Sequence, residues 1–157
     1  MISHFELYLT FENIYLWTNY GILPFWFMLI FIPNHRVTEI FLNSIIIPLI
    51  LASAYIYTIY KTMLLDISII EIFKIYLNLD GLYTVFATES FLLIFWLHFI
   101  SLNIFIGSWL TRDAIKYNIS RSVTFLPLVL VYFSGPVGLF LYWLIRIFYA
   151  KKIRFHD

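Results

Sequence analysis

Residues 90–110 read SFLLIFWLHFISLNIFIGSWL, with no Asp, Glu, Lys or Arg from Ser90 to Leu110. At 1.5 Å per residue this stretch makes about 30 Å of helix, the thickness of a bilayer's hydrocarbon core. Its polar side chains are few: His98, Ser101, Asn103 and Ser108 inside, Ser90 at its start. Such a stretch is a membrane span, and the rest of the chain is read on its scale.

Downstream, Thr111 to Ser122 is a polar connection holding Arg112, Asp113, Lys116 and Arg121. Val123 to Tyr149 is apolar again, interrupted at Ser134-Gly135-Pro136 and followed by Lys151, Lys152 and Arg154. Upstream, Ile14 to Ile32 and Ile40 to Tyr60 are separated by Pro33-Asn34-His35-Arg36. The expectation is an all-α polytopic membrane protein, one domain over 1–157, with four spans at about 14–32, 40–60, 90–110 and 123–149. Between the second and third, Leu65, Ile69, Ile72, Phe73, Tyr76 and Leu77 recur at helical spacing among Asp66, Glu71, Lys74 and Asp80. That pattern, within Thr62 to Thr88, predicts an amphipathic helix lying along the interface.

Composition agrees. Of 157 residues 62% are hydrophobic and 12% charged, against about 25% charged in soluble domains. Lipid is the solvent that tolerates such a surplus. Absence of cysteine removes disulfides, thiolate metal sites and cysteine nucleophiles. A net charge of +1 gives no nucleic-acid footprint. Residues 1–13 carry no Lys or Arg, so the first apolar segment is expected to be retained rather than cleaved.

Four crossings put both termini on one side. Arg36, Arg112, Lys116 and Arg121 then oppose Lys61, Lys74, Arg146, Lys151, Lys152 and Arg154, four against six. The excess places both termini in the cytoplasm, of a bacterial inner membrane. The alternative is a last segment that enters the membrane and returns at Gly135-Pro136, which divides the same residues eight against two. A single kinked span is the simpler expectation, because irregular backbone in lipid needs protein cover.

His98 is the leading candidate for chemistry, since ionisable groups deep in a span are costly and tend to be functional. The competing role is a neutral imidazole hydrogen-bonded to a neighbouring helix, and the sequence leaves both open. Ser101 and Phe105 share its face, while Trp96, Asn103 and Gly107 form another. Gly135, Gly138, Tyr142 and Arg146 fall near one face, consistent with close packing and a snorkelling Arg146, or with a broken helix lining a cavity. Arg112 and Asp113 form a candidate pair at the end of the third span. No histidine pair has metal-binding spacing, and no catalytic triad or phosphate loop is present.

Several of these pieces together resemble a known family. Leu23-Pro24-Phe25-Trp26 is followed by Leu29 and Pro33; Trp96-Leu97-His98-Phe99 continues to Asn103, Phe105, Gly107 and Trp109; Asp113 follows; then come Pro127, Gly135-Pro136-Val137-Gly138-Leu139, Tyr142 and Arg146. In order and spacing they resemble a family of small membrane proteins that includes the plant neoxanthin-synthase proteins of the abscisic-acid-deficient class. Two positions depart: Asn103, where relatives commonly have Asp, and Ser108, where they often have Arg.

The resemblance implies a ligand of the carotenoid or similar polyene kind, bound within the bilayer and isomerised, with no cofactor and no metal. His98 is then the expected catalytic residue, with Trp96, Asn103, Trp109 and Tyr142 at the ligand. Pro24, Trp26, Gly107, Arg112, Asp113, Gly135, Pro136, Gly138 and Arg146 would form the structural frame. Expected partners are the lipid bilayer, the hydrophobic small molecule, and a membrane protein or second copy of the chain, but no nucleic acid. The alternative function is a non-enzymatic membrane subunit or assembly factor that packs against partner helices.

Overall fold

A computed structural model describes residues 8–42, 44, 46–64 and 73–150, apart from the Lys74 side chain. Every element among them is helical. In chain order they are α1 (Phe11–Gly21), α2 (Leu23–Phe31), α3 (Arg36–Leu42), α4 (Ile46–Met63), a 3₁₀ turn (Lys74–Tyr76), α5 (Leu79–Phe86), α6 (Glu89–Lys116), α7 (Arg121–Phe133) and α8 (Gly135–Ala150).

Among the described residues three stretches are long and apolar enough to cross a membrane: Phe11–Phe31, Arg36–Met63 and Glu89–Lys116. They contain the second and third expected spans and all of the first but Ile32. Hydroxyls that would be costly in lipid are satisfied locally. Thr18, Thr58, Thr62 and Thr111 each donate to the carbonyl four residues earlier, at 2.7–2.9 Å, so these polar residues do not break their helices. Pro24 lies in the first turn of α2, where a missing N–H costs nothing.

The fourth expected span is corrected. Residues 123–149 do not form one kinked helix; they form α7 and α8, joined at Ser134. A Cβ on Gly138 would meet the Val131 backbone nitrogen and lie 2.6 Å from the Pro127 carbonyl oxygen. In a continuous helix Gly138 and Pro127 would stand about 16 Å apart. The chain therefore turns back on itself, as in the re-entrant alternative. Ser134 serves both helices. Its N–H donates to Leu130 at 2.7 Å, ending α7, and its carbonyl accepts from Val137 and Gly138, starting α8.

Leu65, Asp66, Ile69, Glu71 and Ile72 of the expected interfacial helix lie outside the described residues. The described remainder is not one helix, because Asn78 starts α5 afresh by accepting from the Gly81 N–H at 2.7 Å. α5 buries Gly81 and Val85 and leaves Leu79 and Tyr83 exposed.

By its contacts the chain divides into two compact units: Met1–Gly21 with Pro48–Phe99, and Ile22–Ile47 with Ile100–Asp157. The first has Ile14, Leu51, Thr58, Val85, Leu93 and Leu97 in its core; the second has Leu29, Leu110, Leu128, Val131, Tyr142 and Arg146. In the second unit α6 ends in a Schellman motif. Asn118 takes the left-handed conformation (φ 52°), and the N–H groups of Ile119 and Asn118 donate to Ala114 and Ile115. Buried Ile119 then leads into α7.

Candidate functional site

In the first unit, His98 stands on an exposed face of α6 and lines a groove of about 530 Å³. Tyr55, Ile59, Phe86, Phe91, Ile94 and Phe95 form most of its apolar wall. The Tyr55 and His98 rings are 6.3 Å apart. The imidazole forms no hydrogen bond to any described residue. That bears on the choice the sequence left open: a histidine tying two helices together would have such a bond, and this one has none among the described residues. Phe105, expected on the same face, is likewise exposed.

Trp96, two residues earlier, does not share the His98 groove. It lines a separate cleft of about 450 Å³ with Phe11, Glu12, Tyr15, Glu89, Leu92 and Leu93. The helix explains the split, because two residues turn the side chain by about 200°. Its ring stands 6.0 Å from Tyr15 and 5.4 Å from Phe99. Its indole nitrogen is buried with no hydrogen-bond partner among the described residues.

The other expected site residues belong to the second unit, and most converge there. Asp113 Oδ2 accepts from Tyr142 Oη and from Arg146 Nε, both at 2.7 Å. Arg146 is 1% exposed and Tyr142 0%. Arg146 also donates to the Tyr117 hydroxyl at 3.3 Å, and its guanidinium lies 4.8 Å from the Tyr117 ring and 5.2 Å from the Trp143 ring. Two aromatic faces and one carboxylate thus replace the water that the cation has lost. Trp109 closes the cluster with its ring edge-on to Tyr142 at 5.8 Å.

Three expectations change here. Asp113 pairs with Arg146 and not with Arg112, because consecutive helix residues point about 100° apart; Arg112 is exposed. Arg146 does not snorkel. Tyr142, expected at a ligand, is fully enclosed with its hydroxyl on Asp113. The reading of residues alone missed Tyr117 and Trp143. The available signal was spacing: Tyr117 follows Asp113 by four and Trp143 precedes Arg146 by three, each on its partner's face.

The glycine frame explains how these groups approach. Gly107 lies under the Trp26 ring, where a Cβ would be 2.8 Å from Cη2, and Trp26 meets Tyr132 edge-on at 5.5 Å. Gly135 faces the Asn103 carboxamide. Asn103 Nδ2 points at the Tyr132 carbonyl at 3.4 Å, in the unsatisfied last turn of α7. Pro136 occupies the first turn of α8. Ser108 Oγ donates to the Leu42 carbonyl at 3.0 Å. Both positions that depart from the family pattern therefore donate to main-chain carbonyls, which an aspartate at 103 has no N–H to do. Among the described residues no three His, Asp or Glu side chains gather as a metal site requires.

Three helical stretches that can span a bilayer, with no other kind of element among the described residues, define an all-α membrane protein. The family model described as ABA DEFICIENT 4-like matches residues 13–142. The chain belongs to that family and is related to neoxanthin synthase. Comparison with curated proteins and with solved structures gave no match.

Proposed function

We propose that this protein binds a carotenoid or similar polyene from within the bilayer at the His98 groove, and isomerises it. One observation carries the reading: an accessible imidazole with no hydrogen-bond partner among the described residues, set in an aromatic and aliphatic groove. Such a pocket combines broad apolar walls with one convergent polar group, as lipid-soluble ligands require. The groove takes one end of the carotenoid, while the remainder lies along exposed apolar helix faces in the lipid. His98 then donates or accepts a single proton or hydrogen bond at the bound end. Asp113, Tyr142 and Arg146 take no direct part; they hold the second unit together.

In this reading the membrane, a bacterial inner membrane, is crossed three times. The α7–α8 hairpin enters and leaves on one side, and residues 73–86 lie at the interface through Tyr76, Leu79 and Tyr83.

The test is expression in a carotenoid-producing host, with separation of pigment isomers from cells and from purified protein. Wild-type protein is expected to retain pigment and shift its isomer ratio. His98→Gln keeps hydrogen bonding but removes the imidazole, and is expected to retain fold and pigment and lose the shift. Pigment-free wild-type protein would point to the alternative, a non-enzymatic membrane subunit. Full conversion by His98→Gln would remove His98 from the chemistry.

A further inference from the structure

We propose that Tyr55 acts with His98 as a second catalytic residue, on a ligand whose end carries a neutral carbonyl conjugated with its double bonds. The Tyr55 hydroxyl holds the carbonyl oxygen while His98 moves a proton along the chain. This rests on the reading of the His98 groove given above and narrows its substrate. The groove is lined on α4 from Tyr55 to Met63 and on α6 from Phe91 to His98. Tyr55 is thus the first lining residue of α4 and His98 the last of α6, and their rings stand 6.3 Å apart. Both polar rings therefore gather at one end of the groove. Tyr55 precedes the end of α4 at Met63 by eight residues, and His98 follows the start of α6 at Glu89 by nine. Each is about 12–14 Å along its helix from that end, well inside a stretch able to cross the bilayer.

Three features select the ligand. The Tyr55 hydroxyl is reachable on a half-buried residue, and neither it nor the imidazole bonds the other or any described residue. Polar groups in apolar surroundings are costly to leave so, and a ligand segment of a few bonds fits between them. The hydroxyl of Thr62, by contrast, is already given to the Thr58 carbonyl at 2.8 Å. No Asp, Glu, Lys or Arg lines the groove among the described residues, so an ionised head finds no partner there and the ligand is neutral. Lastly, an imidazole draws a proton from carbon only where a conjugated carbonyl accepts the charge that develops, and a phenol O–H stabilises that oxygen. The step balances within the ligand. A C–H bond breaks, its proton goes to the imidazole nitrogen, and its electron pair moves along the double bonds to the carbonyl oxygen, which accepts from Tyr55. The imidazolium then returns the proton two carbons away, the electrons flow back, and one double bond has moved by one place. No oxidant, reductant or second substrate takes part.

The test uses the full chain in lipid nanodiscs, with empty discs as the blank. The probe is α-ionone, whose ring double bond lies one place out of conjugation with its unsaturated ketone; conversion to β-ionone is followed by ultraviolet absorbance. Wild-type protein is expected to convert α-ionone and to leave α-ionol, the same skeleton with a hydroxyl for the carbonyl, unchanged. Deuterium on the ring carbon that loses its proton is expected to slow turnover several-fold, which a merely structural role for the pair would not produce. Tyr55→Phe is expected to lower kcat about a hundredfold, with KM within about threefold and the thermal midpoint unchanged. His98→Gln is expected to lower kcat by about 10²–10⁴. Unchanged α-ionone, α-ionol rearranged as fast as the ketone, or a wild-type kcat in Tyr55→Phe overturns the inference. The comparison of ketone with alcohol needs no variant, so it decides even if Tyr55→Phe fails to fold. A hydrocarbon carotene rearranged in the same discs as readily as α-ionone also overturns it, while leaving polyene isomerisation at His98 in place. Conversion of α-ionone by a protein that retains no pigment from a carotenoid-producing host upholds the pair and sinks the carotenoid reading instead.

Discussion

Asp113 is the residue on which the second unit turns, because its carboxylate receives both Tyr142 and Arg146. Removing one member of a buried pair leaves the other charge without water or partner, a loss of about 3–5 kcal/mol, whereas replacing both with apolar groups of similar volume is often neutral. Asp113→Leu and Arg146→Met are each expected to lower the thermal midpoint of the purified protein sharply. The double variant is expected to recover most of the loss, short of the bond owed to the Tyr142 hydroxyl. A double variant as unstable as the sum of the singles would mean that the network contributes more than its charges. The same residues show what was legible in advance. Gly135, Gly138, Tyr142 and Arg146 read as one face from their spacing alone, and all four are buried. The partner of that face was not legible, since Asp113 lies about thirty residues away and meets Arg146 only once the hairpin has folded. His98 differs: its depth in an apolar run marked it, but its want of a partner among the described residues is a property of three dimensions.

The element that decides the hairpin is α8, and the chain's glycines, two of them in α8, differ in what they face. At Gly138 an added methyl meets the α7 backbone, which cannot move aside without unpacking two helices. Gly107 faces the large but single Trp26 ring, Gly135 the end of the Asn103 side chain, and Gly21 nothing within 4 Å. Substitution by Ala is therefore expected to hurt in the order Gly138, Gly107, Gly135. Overpacking of this kind costs about 1–3 kcal/mol. Gly21→Ala, with ordinary helical geometry and open space, is expected to be neutral or to stabilise by about 0.4–1 kcal/mol. Midpoints of unfolding in one detergent rank the four. If Gly138→Ala melts with wild type, α7 and α8 do not pack as described. Pro136→Ala is expected to matter less, because a first-turn proline breaks no helical bond. Sequence could not choose between kink and hairpin, as Ser134-Gly135-Pro136 suits both. The decision lies in Gly138 fitting against Pro127 and Val131, a contact that no local propensity encodes.

At the scale of the whole molecule, the proposed reading of the hairpin as re-entrant takes the count of crossings from four to three and with it the sidedness of the chain. The expectation of both termini in the cytoplasm rested on an even number. With a returning last segment, Arg36, Arg112, Lys116, Arg121, Arg146, Lys151, Lys152 and Arg154 share one side, against Lys61 and Lys74 on the other. Arg146 is buried against Asp113 and so counts for little; seven against two still orients the chain firmly by the positive-inside rule. The proposed arrangement puts the eight-residue side in the cytoplasm and residues 8–10 and 73–88 outside. The chain has no cysteine, so single cysteines can be introduced and probed with a membrane-impermeant maleimide in intact and lysed cells. Asn34→Cys and Ser120→Cys, both exposed, are expected to label only after lysis, and exposed Leu77→Cys in intact cells. A cysteine appended after Asp157 separates the two arrangements. Protection in intact cells, matching Ser120→Cys, is the outcome a returning hairpin requires. Labelling from outside while Ser120→Cys stays protected would mean that residues 121–150 cross the membrane after all, restoring four spans and moving Lys151, Lys152 and Arg154 away from the side of Arg112 and Arg121.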